Sequence, residues 1–200
     1  MPEDLLYQIA LTLISNVGCV QAKILVEKYE TAENIFRAKK KELGLIENIG
    51  VVRASAIKAF DDFSKAEDEI RFVEKYKLLP LFIGDINYPK RLLHCYDSPT
   101  LLYYRGTADL NAPKVISIIG TRNNTDYGKQ MTEKIIADLK ERNILIISGL
   151  AFGVDAIAHR AALQNGLETI GVLAHGMHTI YPRQHKSLAK EIMHHGGLLT

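Results

Sequence analysis

The sequence predicts an α/β protein, a parallel sheet alternating with helices and preceded by a small all-helical domain. Three observations carry that prediction. From Lys114 onward, short continuous apolar runs alternate with amphipathic stretches of helical period, the pattern of a parallel sheet joined by helical crossovers. Residues 1–77 show helical periodicity alone, broken by short glycine-marked turns. Between them, residues 78–113 hold two strand-like runs punctuated by prolines at 80, 89, 99 and 113, which reads as a connector packing on the sheet. The expected organisation is therefore 1–77, 78–113 and 114–200.

In chain order, the helical part carries a weak internal repeat. "SNVGCVQAKIL" (15–25) and "ENIGVVRASAI" (47–57) share Asn-[Val/Ile]-Gly-x-Val-x-Ala at a 32-residue offset, and such a turn before a helix start resembles a helix-hairpin-helix element. In that element the hairpin amides hold a DNA phosphate, as any helix N-terminus can. Val20 and Val52 stand where its second glycine usually lies, so packing and weak DNA contact both remain open. The last helix, about 60–77, is long and charged. The connector gives "LLPLFIGD" as a strand, "YPKRLLHCYDSP" as a turn with a short helix and "TLLYYRG" as a second strand. Then come strand "KVISIIG", a helix through Asp138 with Met131, Ile135, Ile136 and Leu139 on one face, strand "ILIIS", helix "GVDAIAHRAALQNG", strand "ETIGVLA", helix "RQHKSLAKEIMHH" and the strand start "GGLLT". Crossovers of one hand should cover both faces of the sheet. A chain ending at Thr200, at its fourth parallel strand, reads as a truncated piece of a longer domain.

Composition narrows the function classes. Two hundred residues, 47% of them hydrophobic, suffice for one or two real cores and exclude a disordered chain. Residues 114–200 carry 10 Lys/Arg against 7 Asp/Glu and six of the seven histidines, whereas 1–113 carry 15 against 16. That asymmetry suits a polyanion partner. Cys19 and Cys95 lie far apart with no secretory signal before them, so both are expected to be buried thiols in a reducing compartment. No apolar run approaches the ~18 residues of a membrane span, so a soluble, cytoplasmic protein without a membrane partner is expected.

The chemistry is expected in three loops, because parallel strands bring their carboxyl ends to one edge, where ligands of such sheets sit. The first loop, "GTRNNTDYG", places Gly120 at the strand end, Arg122 in the turn, and Thr125 or Asp126 at the next helix N-cap. Glycine lets a backbone approach closely, free amides of the helix start carry partial positive charge, and the planar fork of Arg122 suits phosphate oxygens, unless it pairs with Asp126. The second, "SGLAFGVDAIAH", offers Ser148 and Gly149 to an anion, with Phe152 either stacking on a base or plugging the core. Asp155 and His159 share a helix face, which fits a structural hydrogen bond better than a metal pair lacking a third ligand. The third, "AHGMHTIYPRQHKSLAKEI", puts Gly176 after its strand and Arg183, His185 and Lys186 at or before a helix start. Cations there conflict with the helix dipole unless an anion is bound. His175 and His178 read as neutral hydrogen-bonding groups rather than metal ligands.

Absent motifs sharpen the reading. The first loop lacks G-x-G-x-x-G and no acidic residue follows the second strand for a ribose, which argues against a dinucleotide cofactor. There is no Walker A sequence, and no nucleophile with base and oxyanion partners can be named. No cofactor and no metal are expected, and a binding site accounts for these residues better than a catalytic one.

The runs "IIGTRNNTDYG", "ISGLAFGVDAIAHRAAL" and "TIGVLAHGMHTIYPRQHKSLAKEI", with the lead-in "YPKRLLHCYDSPTLLYYRG", together resemble the DNA-processing protein A (DprA/Smf) family. The likeness covers nearly the whole chain, the helical part included. It implies an extended Rossmann-like domain after a small SAM/helix-hairpin-helix-like one, single-stranded DNA binding, and loading of a RecA-type recombinase in natural transformation or recombination, without catalysis. By position, Gly120, Thr121, Arg122, Ser148, Gly149 and Gly176 would form the phosphate pocket, extended by Arg183 and Lys186. Phe152 stands where many members have arginine, which favours stacking. Family dimer and recombinase surfaces lie mostly in a later Ser-Glu and Arg-Asn-Arg part not found in these 200 residues, so dimerisation is left open. The competing expectation is a nucleotide-processing enzyme of phosphoribohydrolase type, whose Pro-Gly-Gly-x-Gly-Thr loop and catalytic carboxylate are not seen here.

Overall fold

The structure, a computed structural model, describes residues 4–200; the first three residues of the expected helical domain lie outside them. The chain divides into two compact units, Met1–Leu102 and Tyr103–Thr200.

The first unit opens with six helices: α1 (Leu5–Leu13), α2 (Cys19–Tyr29), α3 (Ala32–Arg37), α4 (Lys40–Gly44), α5 (Gly50–Ala59) and α6 (Ser64–Tyr76). Its interior is apolar. Leu5, Ile9, Ala10 and Ala66 are buried, with Phe36, Phe60 and Phe63 packed on them. Tyr7, Phe36, Phe60 and Phe63 form a ring cluster with centroids 5.2–6.0 Å apart, several of them edge-on, the favoured arrangement for aromatic quadrupoles. Thr31 caps α3 by accepting the Asn34 amide, and Asp4 accepts the amides of Ala32 and Glu33 at 2.9 and 2.6 Å. Three of the donors that a helix start leaves free are thereby satisfied. The last helix begins at Ser64 rather than near residue 60, because Asp62 accepts both the Ser64 amide and its hydroxyl and turns the chain there.

The two halves of the internal repeat share the conformation of their asparagine but part at the glycine, since Gly18 is extended at φ −95° and caps α2 while Gly50 has φ 66° and opens α5. Asn16 and Asn48 both have positive φ, 66° and 65°, and Arg53 Nε of the second half donates to the Asn16 carbonyl of the first at 2.8 Å. After α6 come β1 (Leu79–Phe82), a 3-10 turn over Lys90–His94 and β2 (Leu101–Gly106), as the connector's sequence leads one to expect. The two cysteines differ from expectation: both are exposed, since Cys19 opens α2 and Cys95 ends the 3-10 turn, positions at the rim of the fold.

The second unit alternates as predicted: β3 (Val115–Ser117), α7 (Asp126–Asp138), β4 (Leu145–Gly149), α8 (Val154–Gln164), β5 (Thr169–Val172), α9 (Lys186–His194) and β6 (Gly196–Leu199). The strand order is β1-β2-β6-β5-β4-β3, and the unit boundary falls within β2. Strands β3 to β6 are parallel, while β2 joins β6 antiparallel. Every crossover from β3 to β6 steps in one direction across the sheet. Connections of a single hand then set α7, α8 and α9 on one face, with α8 packed against both of its neighbours, instead of covering both faces. Ile136, Ile146, Ala158, Ala161 and Ala162 form one core beneath α7 and α8, and Leu173, Leu188, Ile192 and Leu198 another beneath α8 and α9. The apolar stripe expected on α7 is narrower than the sequence suggested. Ile136 is buried, Ile135 is half exposed, and Thr132 takes an inward place by donating its hydroxyl to the Gly128 carbonyl.

Candidate nucleic-acid interface

The three loops do meet at the carboxyl ends of β3, β4 and β5, and the first two are stitched together by backbone. The Val154 amide, at the start of α8, donates to the Thr121 carbonyl at 3.1 Å. Gly153 has φ 76°, and a Cβ there would stand 2.1 Å from that same carbonyl. A Cβ on Gly120 would meet the Val154 side chain at 2.7 Å. Both glycines therefore exist so that loop one can lie on the α8 N-terminus. Thr125 caps α7 by accepting the Gly128 amide at 3.1 Å, and the Thr121 hydroxyl accepts the Asn123 amide at 3.1 Å. The turn between these two threonines holds Arg122, exposed and, among the described residues, without a hydrogen-bond or ion-pair partner for its side chain. Asp126 does not neutralise it.

A cleft of about 190 Å³ opens beside that guanidinium. Arg122, Gly149, Phe152, His175, Tyr181 and Pro182 line it, together with the short apolar runs 150–151 and 172–174. Of the residues singled out from sequence, Arg122, Gly149 and Phe152 share this cleft. Gly120 and Thr121 shape the loop behind Arg122. Ser148 does not face the cleft: it is buried, and its hydroxyl donates to the Ile118 carbonyl at 2.6 Å, tying β4 to the end of β3. Gly176 lies beside His178, which a Cβ would meet at 2.9 Å. Arg183 and Lys186 are exposed in the following 3-10 turn and first turn of α9, outside the cleft lining, each with a side chain that has no partner among the described residues.

Tyr181 in the lining escaped the sequence reading as a site group. It is 69% exposed and precedes Pro182 through a cis peptide bond; the tyrosine-proline pair is visible in sequence, the direction of its ring is not. His175, read from sequence as a hydrogen-bonding group, organises the third loop. Its Nε2 accepts the Tyr181 amide at 3.2 Å, so Nδ1 carries the proton and donates to the Gly176 carbonyl at 3.1 Å. The Thr200 hydroxyl donates to the His175 carbonyl at 3.0 Å.

Beneath the cleft floor lies a buried polar layer. His159 is fully buried and its pKa is pushed down to about 4, chiefly by burial. The neutral ring donates from Nε2 to the Gly149 carbonyl at 2.7 Å and pairs through Nδ1 with the Thr169 hydroxyl at 2.7 Å. His185 is also buried, not exposed beside Arg183 and Lys186 as its position before the helix suggested. Its Nδ1 donates to the Leu150 carbonyl at 2.8 Å, and its ring meets Phe152 edge-on at 5.1 Å. Asp155, in the first turn of α8, is buried with Oδ1 unpartnered among the described residues, and a Cβ on Gly149 would strike its Oδ2. The α8 dipole favours this carboxylate, and the two histidines fix the Gly149 and Leu150 carbonyls on which the cleft rests.

Chemically, the site combines an unpaired planar cation, a mostly apolar slot, and two aromatic rings, Phe152 at 42% exposure and Tyr181, held at its rim. That suits a ligand with both phosphate and a flat apolar part. No helix among the described residues is long and apolar enough to cross a membrane, and no group of three His, Cys, Asp or Glu among them could hold a metal ion.

Comparison with known proteins converges on one family. Residues 80–200 match the family model of DNA recombination-mediator protein A. The chain is 32% identical over 201 residues to Protein Smf of Synechocystis, covering 97% of this chain and 50% of that protein. It is 39% identical over 122 residues to the DNA processing protein DprA of Streptococcus pneumoniae, covering 60% of this chain and 43% of that one. The structure of DprA from Streptococcus pneumoniae superposes with a TM-score of 0.74 at 31% identity, over 97% of this chain and 66% of that one. That of DNA processing protein A from Helicobacter pylori, described by its single-stranded DNA binding mode, superposes with a TM-score of 0.54 at 34% identity, over 62% of this chain and 54% of that one. The chain thus spans about half the length of these curated relatives. With the family model covering more than half of its residues and the three loops in their expected order, the chain belongs to the DNA recombination-mediator protein A (DprA/Smf) family.

Proposed function

We propose that this protein binds single-stranded DNA across the carboxyl edge of its parallel sheet, as a mediator of recombination. The observation that carries the reading is Arg122: an exposed guanidinium with no protein partner among the described residues, held in a capped turn beside a cleft that two aromatic rings border. Arg122 takes a backbone phosphate, Gly149 gives the strand close access to the cleft floor, and Phe152 offers its open face to a base. Gly120, Thr121, Ser148 and Gly176 hold the loops in place. Arg183 and Lys186, unpaired among the described residues on the neighbouring turn, guide the flanking backbone. The division of labour is a helical domain over 1–77, a connector over 78–113 and the DNA-binding domain over 114–200. The role is binding rather than catalysis, exercised in the cytoplasm. Its wider assignment as a loader of a RecA-type recombinase in natural transformation, acting as a homodimer, rests on family membership. The single-stranded DNA binding mode described for the Helicobacter pylori relative supports the choice of ligand.

A salt series of binding isotherms with an oligothymidine and with a duplex of equal length tests the reading. Wild type is expected to prefer the single strand. Arg122→Ala should weaken it roughly 10-fold to 100-fold and reduce the slope of log K against log salt by about 0.7, the share of one phosphate contact. Unchanged affinity and slope in Arg122→Ala would remove the pocket from consideration.

A further inference from the structure

The first unit contains a chemically reactive feature that nucleic-acid binding does not use. Lys23 Nζ donates to the Leu93 carbonyl at 2.8 Å and to the Cys95 carbonyl at 3.2 Å, clamping the end of the 3-10 turn onto α2. Cys19 lies four residues before Lys23 on α2, hence on the same helix face. Helical side chains lean toward the N-terminus, so the Lys23 ammonium, with Cys95 held beside it, reaches back over the turn that Cys19 opens. Both thiols are free and exposed. Tyr88 lies near both: fully buried and donating to the Pro99 carbonyl at 2.6 Å, it has its phenol pushed up to about 12 by burial first, then by Cys19 and Cys95. Both sulfurs thus lie within electrostatic reach of one phenol. The chain holds no other cysteine, so either thiol has a single intramolecular partner.

We infer that Cys19 and Cys95 are an oxidisable thiol pair, a modification site that hydroperoxides convert to a reversible disulfide joining α2 to the segment after the 3-10 turn. In the first step one thiolate attacks the distal oxygen of the peroxide, forming a sulfenic acid and releasing an alcohol, or water from hydrogen peroxide. In the second, the other thiolate displaces water from the sulfenic sulfur and the S–S bond closes. Two thiols are oxidised by two electrons in all, and one peroxide is reduced. Cys95 stands outside regular structure with extended backbone at its turn end, so it can supply the movement that brings two Cβ atoms to the roughly 3.5–4.5 Å a disulfide requires. In a reducing compartment the pair is a dithiol at rest and closes under peroxide.

The test treats the full chain with a limiting, measured amount of hydrogen peroxide. Free thiols are then counted, the protein is alkylated, and it is digested without reductant for mass spectrometry. The expected result is two thiols lost per peroxide consumed, a Cys19–Cys95 cross-linked peptide from monomeric protein, and full recovery of thiols on reduction with dithiothreitol. Cys19→Ser and Cys95→Ser, both at exposed positions, should halve that ratio to one thiol per peroxide. The inference is overturned by a ratio of one in wild type with sulfenic or sulfinic acid at separate sites, or by cross-links only between two chains.

Discussion

Gly18 and Gly153 each stand immediately before a helix, one in the helical region and one at the cleft, yet the two positions are built on different physics. Gly18 has φ −95°, which any residue adopts, and a Cβ there would meet only the Gln21 side-chain oxygen, at 3.4 Å. Gly153 has φ 76° and no room at all against the Thr121 carbonyl. The contrast extends outward from these turns. The helical region is held by apolar and aromatic packing around Phe36, Phe60 and Phe63. The region under the cleft buries His159, His185, Asp155 and Thr169 and uses glycines to bring loops together. Packing of the first kind forgives a small change, because neighbours repack. A polar layer with fixed partners does not, which is how a cleft keeps its shape while its surface awaits a ligand.

Three experiments put that contrast at risk. The largest effect is expected from the glycines themselves: Gly153→Ala should cost about 3 kcal/mol in denaturant-derived stability and abolish DNA binding, whereas Gly18→Ala should change stability by less than about 1 kcal/mol. Equal costs at the two positions would refute it. Next is the pH dependence of the polar layer. His159 titrates near 6.5 when unfolded and near 4 when folded, so above 6.5 it is neutral in both states. Between 6.5 and 4 only the unfolded chain takes the proton, and stability falls as the pH falls, by up to about 3 kcal/mol, with no further loss from this group below 4. Urea titrations of wild type and His159→Gln should show this component in wild type alone. The smallest effect concerns two aromatic residues with opposite duties. Phe152→Ala should weaken oligonucleotide binding by about 1 kcal/mol with an unchanged salt slope and little change in melting temperature, while Phe36→Ala should lower stability by about 2 kcal/mol and leave binding intact.

Periodicity carried most of the fold. Alternating apolar runs located β4, β5 and β6 and their helices, because a strand buried on both faces writes its burial directly into consecutive residues, as in "ILIIS". It did not reveal that β2 pairs antiparallel with β6, a contact between segments more than ninety residues apart that leaves no local pattern. Nor did it distinguish Ile135 from Ile136 on α7, since one residue's rotation decides which of them meets the sheet. At the site, the place of Arg122 in a polar turn ahead of a helix N-cap was legible, and the structure leaves it exposed beside the cleft. The roles of His159 and His185 were not. Whether a histidine faces solvent or serves as an interior strut depends on which carbonyl lies within 3 Å of its ring, and here those are Gly149 and Leu150, ten and thirty-five residues away. Cys19 and Cys95 were assigned inward on the general habit of thiols, against which the positions of a helix start and a turn end prevailed.

The placement of β6 has a kinetic corollary. Its four residues form the rung between β5 and β2, with Thr200 exchanging two backbone hydrogen bonds with Tyr103 at 2.8 and 3.0 Å. On a growing chain, β2 emerges from the ribosome almost a hundred residues before this neighbour does. Throughout that interval its edge has unpaired amides and carbonyls, and the Tyr104 phenol lacks the Gly196 carbonyl that it later contacts at 2.9 Å. Pairing of β2 therefore waits on the synthesis of β6, a closure of high contact order between segments more than ninety residues apart.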